Sequence, residues 1–481
     1  MSIVKQKTTF ISGNFNILHP GHLRLLRFGK ELGNRLIVSV YSDKLAGKAA
    51  LVPEQLRLEA LQSISWVDEA FIIDEPVSKI IESLKPDIVV KGKEHERQFN
   101  PELEIVSKYG GRLVFSSGET IFSSFDLIQR EVSSSKPSFS FIPEDYLKRH
   151  SLSSDLLINR VEEFKNLRVL VIGDLIVDEY ISCDPLGMSQ EDPTIVVTPI
   201  ENKMYVGGAG IVAAHAAGLG ANVSFLSVSG NDNIHEFAEK KLKEFNVNVT
   251  LFKDDSRPTT LKQRFRSKGK TLLRVSHLHQ GAIDKNIQTH FLNMTNELLS
   301  HCDLLIFSDF NYGCLPTEMV QKIILMAQST GVYMVADSQS SSQMGDIGRF
   351  NEMSLLTPTE REARLSVRDN ESGLVVLAEK LREKASAKNI LLKIGEEGVL
   401  IHAETKKVGS WLTDRIPALN PVAVDVAGAG DSMLVVSAMA LARGSTIWEA
   451  AALGSIAAAV QVSRVGNTPL NKKELIKELE I

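Results

Sequence analysis

The stretch Thr9-Phe10-Ile11-Ser12-Gly13-Asn14-Phe15-Asn16-Ile17-Leu18-His19-Pro20-Gly21-His22 joins an apolar run, a glycine and a proline-led helix start. The residues before Gly13 suit a buried strand, Gly13 permits a tight turn, and Pro20 suits the first turn of the following helix. His19 and His22, three apart, would face the same way at that helix start, where unpaired N–H groups and the helix dipole favour phosphate. Two imidazoles there can donate hydrogen bonds to a phosphoryl group as charge builds on it.

Outward from this unit the pattern repeats. Strand-like runs at Thr8–Ser12, Arg35–Val40, Ala70–Ile73, Asp87–Lys91 and Arg112–Phe115 alternate with helical patterns near Gly21–Leu32, Glu54–Ile64, Ser78–Leu84 and Glu102–Tyr109. Such alternation predicts an α/β domain with a doubly wound, Rossmann-like parallel sheet. Ligands of such sheets bind beyond the strand C-termini, where Gly13 to His22 would lie and where Lys91 and Gly92 would bring positive charge.

A chain of 481 residues exceeds one ordinary core, and 43% hydrophobic with 23% charged residues is globular composition, so at least two domains are expected. The formal charge of −5 includes no dense basic run, which argues against nucleic acid as a partner. Cys183, Cys302 and Cys314 are scattered and odd in number, fitting neither a disulfide framework nor a metal site. No apolar run approaches the roughly 20 residues that span a bilayer, and the first residues lack a signal-peptide core, so a cytoplasmic protein without membrane insertion is expected. The Ser/Pro-rich break at Ser133–Ser138 divides the chain into a first domain over 1–132, a linker over 133–153 and a second domain over 154–481.

The second domain opens with Arg168–Asp174, a buried strand ending in Gly-Asp, and strand-like runs recur at Val223–Val228, Leu304–Ser308, Val332–Ala336, Met353–Leu356 and Ile390–Ile394. Gly207-Gly208-Ala209-Gly210 can bring backbone close to a ligand, or serve tight helix packing. The stronger signal is Asp425-Val426-Ala427-Gly428-Ala429-Gly430-Asp431-Ser432 before a long apolar helix. Gly428, Ala429 and Gly430 can expose N–H groups to phosphate, with Asp431 beside them to take a proton from a sugar hydroxyl attacking the γ-phosphate of ATP. Asp431 acting only as a helix cap is the plainer alternative.

Two resemblances rest on these residues. Gly173-Asp174…Asp178, Gly207-Gly208-Ala209, Ser308-Asp309, Lys393-x-Gly395-x-x-Gly398 and Ala427-Gly428-Ala429-Gly430-Asp431 resemble the ribokinase-type, phosphofructokinase B sugar kinases over about 167–470. Gly13-x-Phe15-x-x-x-His19-x-Gly21-His22, with Ser42-Asp43, Lys91-Gly92 and Ser123-Ser124, resembles the cytidylyltransferase-like nucleotidyltransferases over about 8–131. Together they are similar to the bifunctional family that pairs a heptose 7-phosphate kinase with a heptose 1-phosphate adenylyltransferase for lipopolysaccharide precursors, with the domain order reversed.

The resemblance implies a ribokinase-like second domain with a small β lid, formed in part by about 180–199, through which such kinases often dimerise. It implies Asp431 as general base, Gly428 to Gly430 as anion hole, Lys393 and Gly395 at the ATP edge, and Asp174, Asp178, Gly207 and Gly208 as sugar contacts. In the first domain it implies His19 and His22 as signature histidines, Gly13, Phe15 and Asn16 in the nucleotide loop, and Lys91, Gly92, Ser123 and Ser124 as further nucleotide contacts. Mg²⁺ is implied, with Glu362 its linked residue, and ATP as substrate, or CTP in the first domain. The implied activity is phosphorylation of a sugar phosphate at its anomeric hydroxyl, then nucleotidyl transfer to a sugar 1-phosphate to give an ADP-heptose-like product, with a separate phosphatase acting in between. Departures from the patterns are Asn16 for Asp, Phe125 for Thr, Ala427 for Thr, Thr359 for Asn, Ile211 and Val212 where an Asn is usual, and Asp337-Ser338-Gln339 for Asp-Pro-Lys. They leave two other readings open: a different sugar phosphate or nucleotide, or a sensor in which one domain has lost catalysis.

Overall fold

The computed structural model describes residues 7–480 other than 17, 19, 48–49, 51, 93–99, 117–141, 190, 193, 268–269, 340–344, 406–410 and 421–422. His19, Ser123, Ser124 and Phe125 therefore lie outside the described residues. The chain divides into two compact units, Met1–Pro137 with Arg368–Leu377, and Ser138–Val367 with Ala378–Ile481.

In the first unit, strands β1 (Thr8–Gly13), β2 (Arg35–Tyr41), β3 (Glu69–Ile73), β4 (Ile88–Gly92) and β5 (Arg112–Ser116) form a five-stranded sheet in the order β3-β2-β1-β4-β5. Every pairing in it is parallel, as the alternation of strand and helix patterns predicts. Neighbouring residues point to opposite faces: Ile11, Val38 and Val90 join Leu25 and Leu26 in one core, while Phe10, Ile37 and Val89 join Ile81 and Val106 in the other. Burying both faces makes these strands near-continuous apolar runs, which is why they are legible in the sequence.

The main strands of the second unit are β6 (Arg168–Gly173), β9 (Asn222–Ser229), β10 (Val247–Lys253), β13 (Leu304–Asp309), β14 (Tyr333–Ser338), β15 (Leu355–Leu356), β16 (Asn389–Lys393), β17 (Val399–Ala403) and β18 (Leu412–Ile416). They form a nine-stranded sheet in the order β10-β9-β6-β13-β14-β15-β16-β17-β18. Among the described residues only its β16–β17 and β17–β18 pairings are antiparallel. Helices Ala429–Ala442 and Ile447–Val462 are buried along nearly their whole length, so they carry no amphipathic stripe. Within the stretch read as linker, Glu144–Arg149 is helical, with Tyr146 and Leu147 in this unit's core and the Tyr146 hydroxyl donating to Trp448 O at 2.9 Å.

The lid is a separate sheet of β7 (Leu175–Met188), β8 (Ile195–Gly208), β11 (Leu261–Ser267) and β12 (Lys270–His277), in the order β12-β11-β7-β8. β7 and β8 extend well beyond the 180–199 segment, and β11 and β12 have no counterpart in the sequence reading, because half-exposed lid strands lack a continuous apolar run.

Candidate active sites

In the second unit the C-terminal ends of the parallel strands collect Gly173-Asp174, Ser308-Asp309, Asp337 and Lys393. Opposite them, Gly428 precedes the helix Ala429–Ala442 in a left-handed conformation (φ 78°, ψ 0°) that a side chain rarely adopts. A β-carbon there would also lie 2.5 Å from Asn467 Oδ1. The Gly-Ala-Gly turn thus leads into the N-terminus of a helix, an end that favours anions.

Asp431, in the first turn of that helix, is 6% exposed, and its Oδ1 is buried with no hydrogen-bond partner among the described residues. A carboxylate oxygen left unsatisfied in the interior is costly unless a ligand proton completes it. Burial pushes its pKa up to about 7, Asp337 and Asp178 add to the rise, and Lys393 and Lys262 oppose it. Free of any cap bond, Asp431 has the environment of a base poised near neutrality. The helix-cap alternative finds no support, since the N-cap position is Gly428 and no side-chain cap bond is made.

Lys393 Nζ lies 3.1 and 3.0 Å from the Asp337 carboxylate oxygens and 3.0 Å from where a β-carbon on Gly430 would stand. Burial works against its charge, but Asp337, Glu362 and Asp431 outweigh it and raise its pKa. A cation therefore faces the glycine turn, where phosphate oxygens would lie. Gly395 opens the turn between β16 and β17 at φ 64°. Glu362 is buried, its Oε2 accepting from Thr359 N at 2.7 Å while Glu362 N donates to Thr359 Oγ1 at 3.3 Å, so Thr359 serves as a helix cap in the place of the usual Asn.

Asp178 and Gly207 face each other across the lid: a β-carbon on Gly207 would lie 2.4 Å from Asp178 Oδ2. Asp178 also accepts from Arg264 Nη1 at 2.5 Å and from Asn467 Nδ2 at 3.0 Å. Asp174, implied as a sugar contact, is buried. Its carboxylate accepts from the backbone N–H groups of Phe310, Tyr312 and Cys314 at 2.7, 3.3 and 3.2 Å. Burial, then Asp309, raises its pKa to about 6 against those bonds. Gly208 (φ 57°) turns β8 into the helix Ala209–Gly218.

The lid meets the glycine turn through Asp425, which accepts from the Tyr180 hydroxyl at 2.9 Å, Gly466 N at 3.1 Å and Ala427 N at 3.1 Å. Sequence reading missed Asn467, Tyr180, Asp425 and Arg264 in these roles. Only Arg264 carried a signal, the alternation Lys262-x-Arg264-x-Arg266 on a short strand.

In the first unit, Gly13 ends β1 and Phe15 sits at φ 48°, an uncommon conformation for a bulky residue and of a kind that clusters at ligand sites. Its buried ring packs on His22 with centroids 5.1 Å apart, which orients that imidazole in the first turn of Pro20–Leu32. Arg57, fully buried, donates to Asn14 O at 2.8 Å, Val52 O at 2.7 Å and Asp43 Oδ1 at 2.5 Å, tying the loop after Gly13 to Ser42-Asp43. Asn16 lies in that loop, next to Phe15. Lys91, expected to bring positive charge to the crevice, holds both Glu102 oxygens at 3.1 Å, and Gly92 closes β4 beside it.

A buried carboxylate beside a glycine-led helix start, under a lid at the strand C-termini, is the arrangement of a phosphoryl-transfer enzyme of the sugar-kinase type. Residues 166–474 match the pfkB family carbohydrate kinases and residues 10–158 the cytidylyltransferase-like family. The chain belongs to the pfkB carbohydrate kinase family, and it is a transferase with a cytidylyltransferase-like domain ahead of the kinase. It is 30% identical over 313 residues to the "Bifunctional protein HldE" of a Nitratiruptor species, a match covering 64% of each chain. It is 29% identical over 325 residues to that of Desulfatibacillum aliphaticivorans, covering 66% of this chain and 64% of the relative. The chain thus spans less than two thirds of the length of the curated relatives it matches. Phosphofructokinase-2 from Escherichia coli with substrates and products superposes with a TM-score of 0.53 at 17% identity over 66% of this chain and 98% of that one. Ribokinase from Thermotoga maritima does so with 0.51 at 22% identity over 66% and 100%. At these identities the likeness is one of fold. No helix among the described residues is long and apolar enough to cross a membrane.

Proposed function

We propose that the chain is a bifunctional enzyme of sugar-nucleotide synthesis, and the observation that carries this reading is Asp431, orphaned and buried beside the Gly428–Gly430 turn and Lys393. In the kinase half, Asp431 takes the proton of a sugar hydroxyl as its oxygen attacks the γ-phosphate of ATP. Helix-start N–H groups and Lys393 receive the charge that develops on the phosphate. Asp178, held by Arg264 and Asn467, orients the sugar from the lid side. Carboxylate oxygens such as those of Asp337 and Glu362 suit a hard cation; burial and Glu362 raise the pKa of Asp337, while Lys393, bonded to both its oxygens, opposes the rise. Glu362 would hold Mg²⁺ together with the ATP phosphates, where the ion offsets phosphate charge.

In the first half, the phosphate of a sugar 1-phosphate attacks the α-phosphate of ATP or CTP and pyrophosphate leaves. An already ionised nucleophile needs no strong base, so His22, set by Phe15, and His19 have only to position and stabilise charge. The kinase substrate we favour is a heptose 7-phosphate-like sugar phosphorylated at its anomeric hydroxyl, the product class being an ADP-heptose. A homodimer through the lid is supported by exposed Leu186, Met188, Ile195 and Ile200 on β7 and β8.

The test is incubation with heptose 7-phosphate, and separately heptose 1-phosphate, with ATP or CTP, following ADP and pyrophosphate independently. ADP with the first and pyrophosphate with the second is the expected result. Ligand binding without either product would favour a sensor.

A further inference from the structure

The glycine turn of the second unit is held from behind by one side chain. Gln461, in the last turn of the helix Ile447–Val462, is fully buried. Its Nε2 donates to Ala427 O at 3.3 Å and to Gly466 O at 3.1 Å. Its Oε1 accepts from Arg464 Nε at 3.2 Å and Nη2 at 2.9 Å. A guanidinium carries no acceptor, so the amide oxygen must face Arg464, and the amide nitrogen is left for the two carbonyls. Arg464 is itself set by Glu474 at 3.3 and 3.4 Å and by Thr468 O at 2.8 Å. Every hydrogen-bonding position of the buried amide is thus filled, and a saturated polar network of this kind is rigid.

What Gln461 holds decides where the turn points. Ala427 O and Gly428 N belong to one planar peptide, in which C=O and N–H point in opposite directions. Fixing Ala427 O toward Gln461 therefore sends the Gly428 N–H to the far side, and sets the plane from which Gly428, at φ 78°, turns into the helix Ala429–Ala442. Ala427 has no polar side chain, so its backbone is the handle: its N–H is taken by Asp425 Oδ1 at 3.1 Å and its carbonyl by Gln461. Two more bonds tie the same segment to the loop after Ile447–Val462, Val424 N to Val462 O at 2.8 Å and Gly466 N to Asp425 Oδ2 at 3.1 Å. A β-carbon on Gly428 would stand 3.3 Å from Gln461 Nε2, so the amide packs against the turn itself. Asp431 Oδ1, in the helix that follows, is by contrast buried without a partner among the described residues. A saturated support behind the turn and an unsatisfied acid ahead of it are the division expected of a preorganised site.

We infer that Gln461, oriented by Arg464, is a positioning residue of the kinase site, which sets the Ala427–Gly428 peptide so that the glycine turn receives the terminal phosphates of the bound nucleotide. It acts through the backbone it holds, not by touching nucleotide or sugar. The inference rests on the kinase reading and adds to it the group that keeps the turn in its anion-binding form. Packing alone asks for less, since an apolar side chain would fill the same volume without an amide to satisfy. Arg464, 20% exposed, also carries a cost, because burial lowers its pKa against the opposing pull of Glu474.

The experiment titrates the full chain with AMP-PNP and with AMP, in Mg²⁺, by calorimetry, and takes as the second unit's site the component that Lys393→Met weakens. The wild type should prefer AMP-PNP there by about 100-fold or more, the scale of two hydrogen bonds to a charged group. Gln461→Met, which keeps the side-chain length and removes both donors, should lose at least about tenfold of that preference, the scale of one such bond, with AMP affinity unchanged. Ser437→Ala is the control for a purely structural effect. It deletes a buried bond between the helices Ala429–Ala442 and Ile447–Val462, Ser437 Oγ to Ala450 O at 3.0 Å, about 16 Å along the second helix from Gln461 by the helical rise, and should keep the full preference. Arg464→Leu, which leaves the amide in place but free to turn over, serves if Gln461→Met does not fold and should act in the same direction. A loss no greater than that of Ser437→Ala, or a wild type without the preference, overturns the inference. ADP release with a panel of sugar phosphates keeps the two readings apart: a preference that depends on Gln461 without ADP release retains the role of Gln461 and removes the kinase reading, while ADP release with a preference that survives the substitutions does the reverse.

Discussion

Asn467 donates through Nδ2 to Asp178 Oδ2 at 3.0 Å, joining residues 289 positions apart and setting a lid carboxylate against the glycine turn. A neutral residue thereby holds one oxygen of this acid while Arg264 holds the other. Asn467→Ala should raise the sugar KM about 5- to 10-fold, in line with a lost hydrogen bond to a charged group, with a smaller effect on kcat. Gly428→Ala should be far worse, at least about 100-fold in kcat/KM on the order of a lost oxyanion donor, because it forces a left-handed side chain into Asn467. Steady-state kinetics on both variants separates the two effects.

Asp431→Asn should cut kinase kcat by about 10²- to 10⁴-fold, the usual range for a general base, and leave nucleotidyl transfer intact. Loss of both activities in a folded variant would contradict a two-site enzyme. Stability should move the other way. The native carboxyl, at about 7, holds its proton above the ordinary 3.8, so its ionisation costs the folded state increasingly as pH rises through that window. Asp431→Asn should therefore raise the Tm at about pH 8 and change it little at about pH 4.

The same carboxyl sets the pH profile. Kinase kcat/KM should climb with pH and level off above about 7, as Asp431 ionises in the free enzyme. Lys393 lowers that pKa, so Lys393→Met should displace the limb to higher pH as well as weaken ATP binding. An unmoved limb would mean that a different group is being titrated.

His22→Ala and His19→Ala should each abolish most nucleotidyl transfer, by about 10²-fold or more on the scale of one lost transition-state donor, while kinase activity stays. Pyrophosphate and ADP release, measured side by side, read this directly.

Arg57→Met should destabilise the first unit by about 1–3 kcal/mol, the scale of leaving the Asn14 and Val52 carbonyls without their donor, and should cost nucleotidyl transfer as the Asn14 loop loosens. Urea unfolding monitored with the kinase assay as an internal control tests both.

The sequence by itself determined the two α/β sheets and the glycine turns that follow their strands or open a helix, because each depends on neighbours in the chain. An apolar strand buried on both faces, a glycine that permits a left-handed turn and an acid at a helix start are all local facts. Gly13 to His22 and Gly428 to Asp431 were legible for that reason. Tertiary structure alone decided which groups answer them. Asn467 reaches Asp178, Lys393 faces Gly430, and Arg57 clamps Asn14, yet none of these pairings leaves a periodic trace in the chain. It also decided the partners of two candidate site residues, pairing Lys91 with Glu102 and Asp174 with the N–H groups of Phe310, Tyr312 and Cys314. A buried charge takes the nearest partner that repays its lost hydration, and only the folded chain says which partner is near.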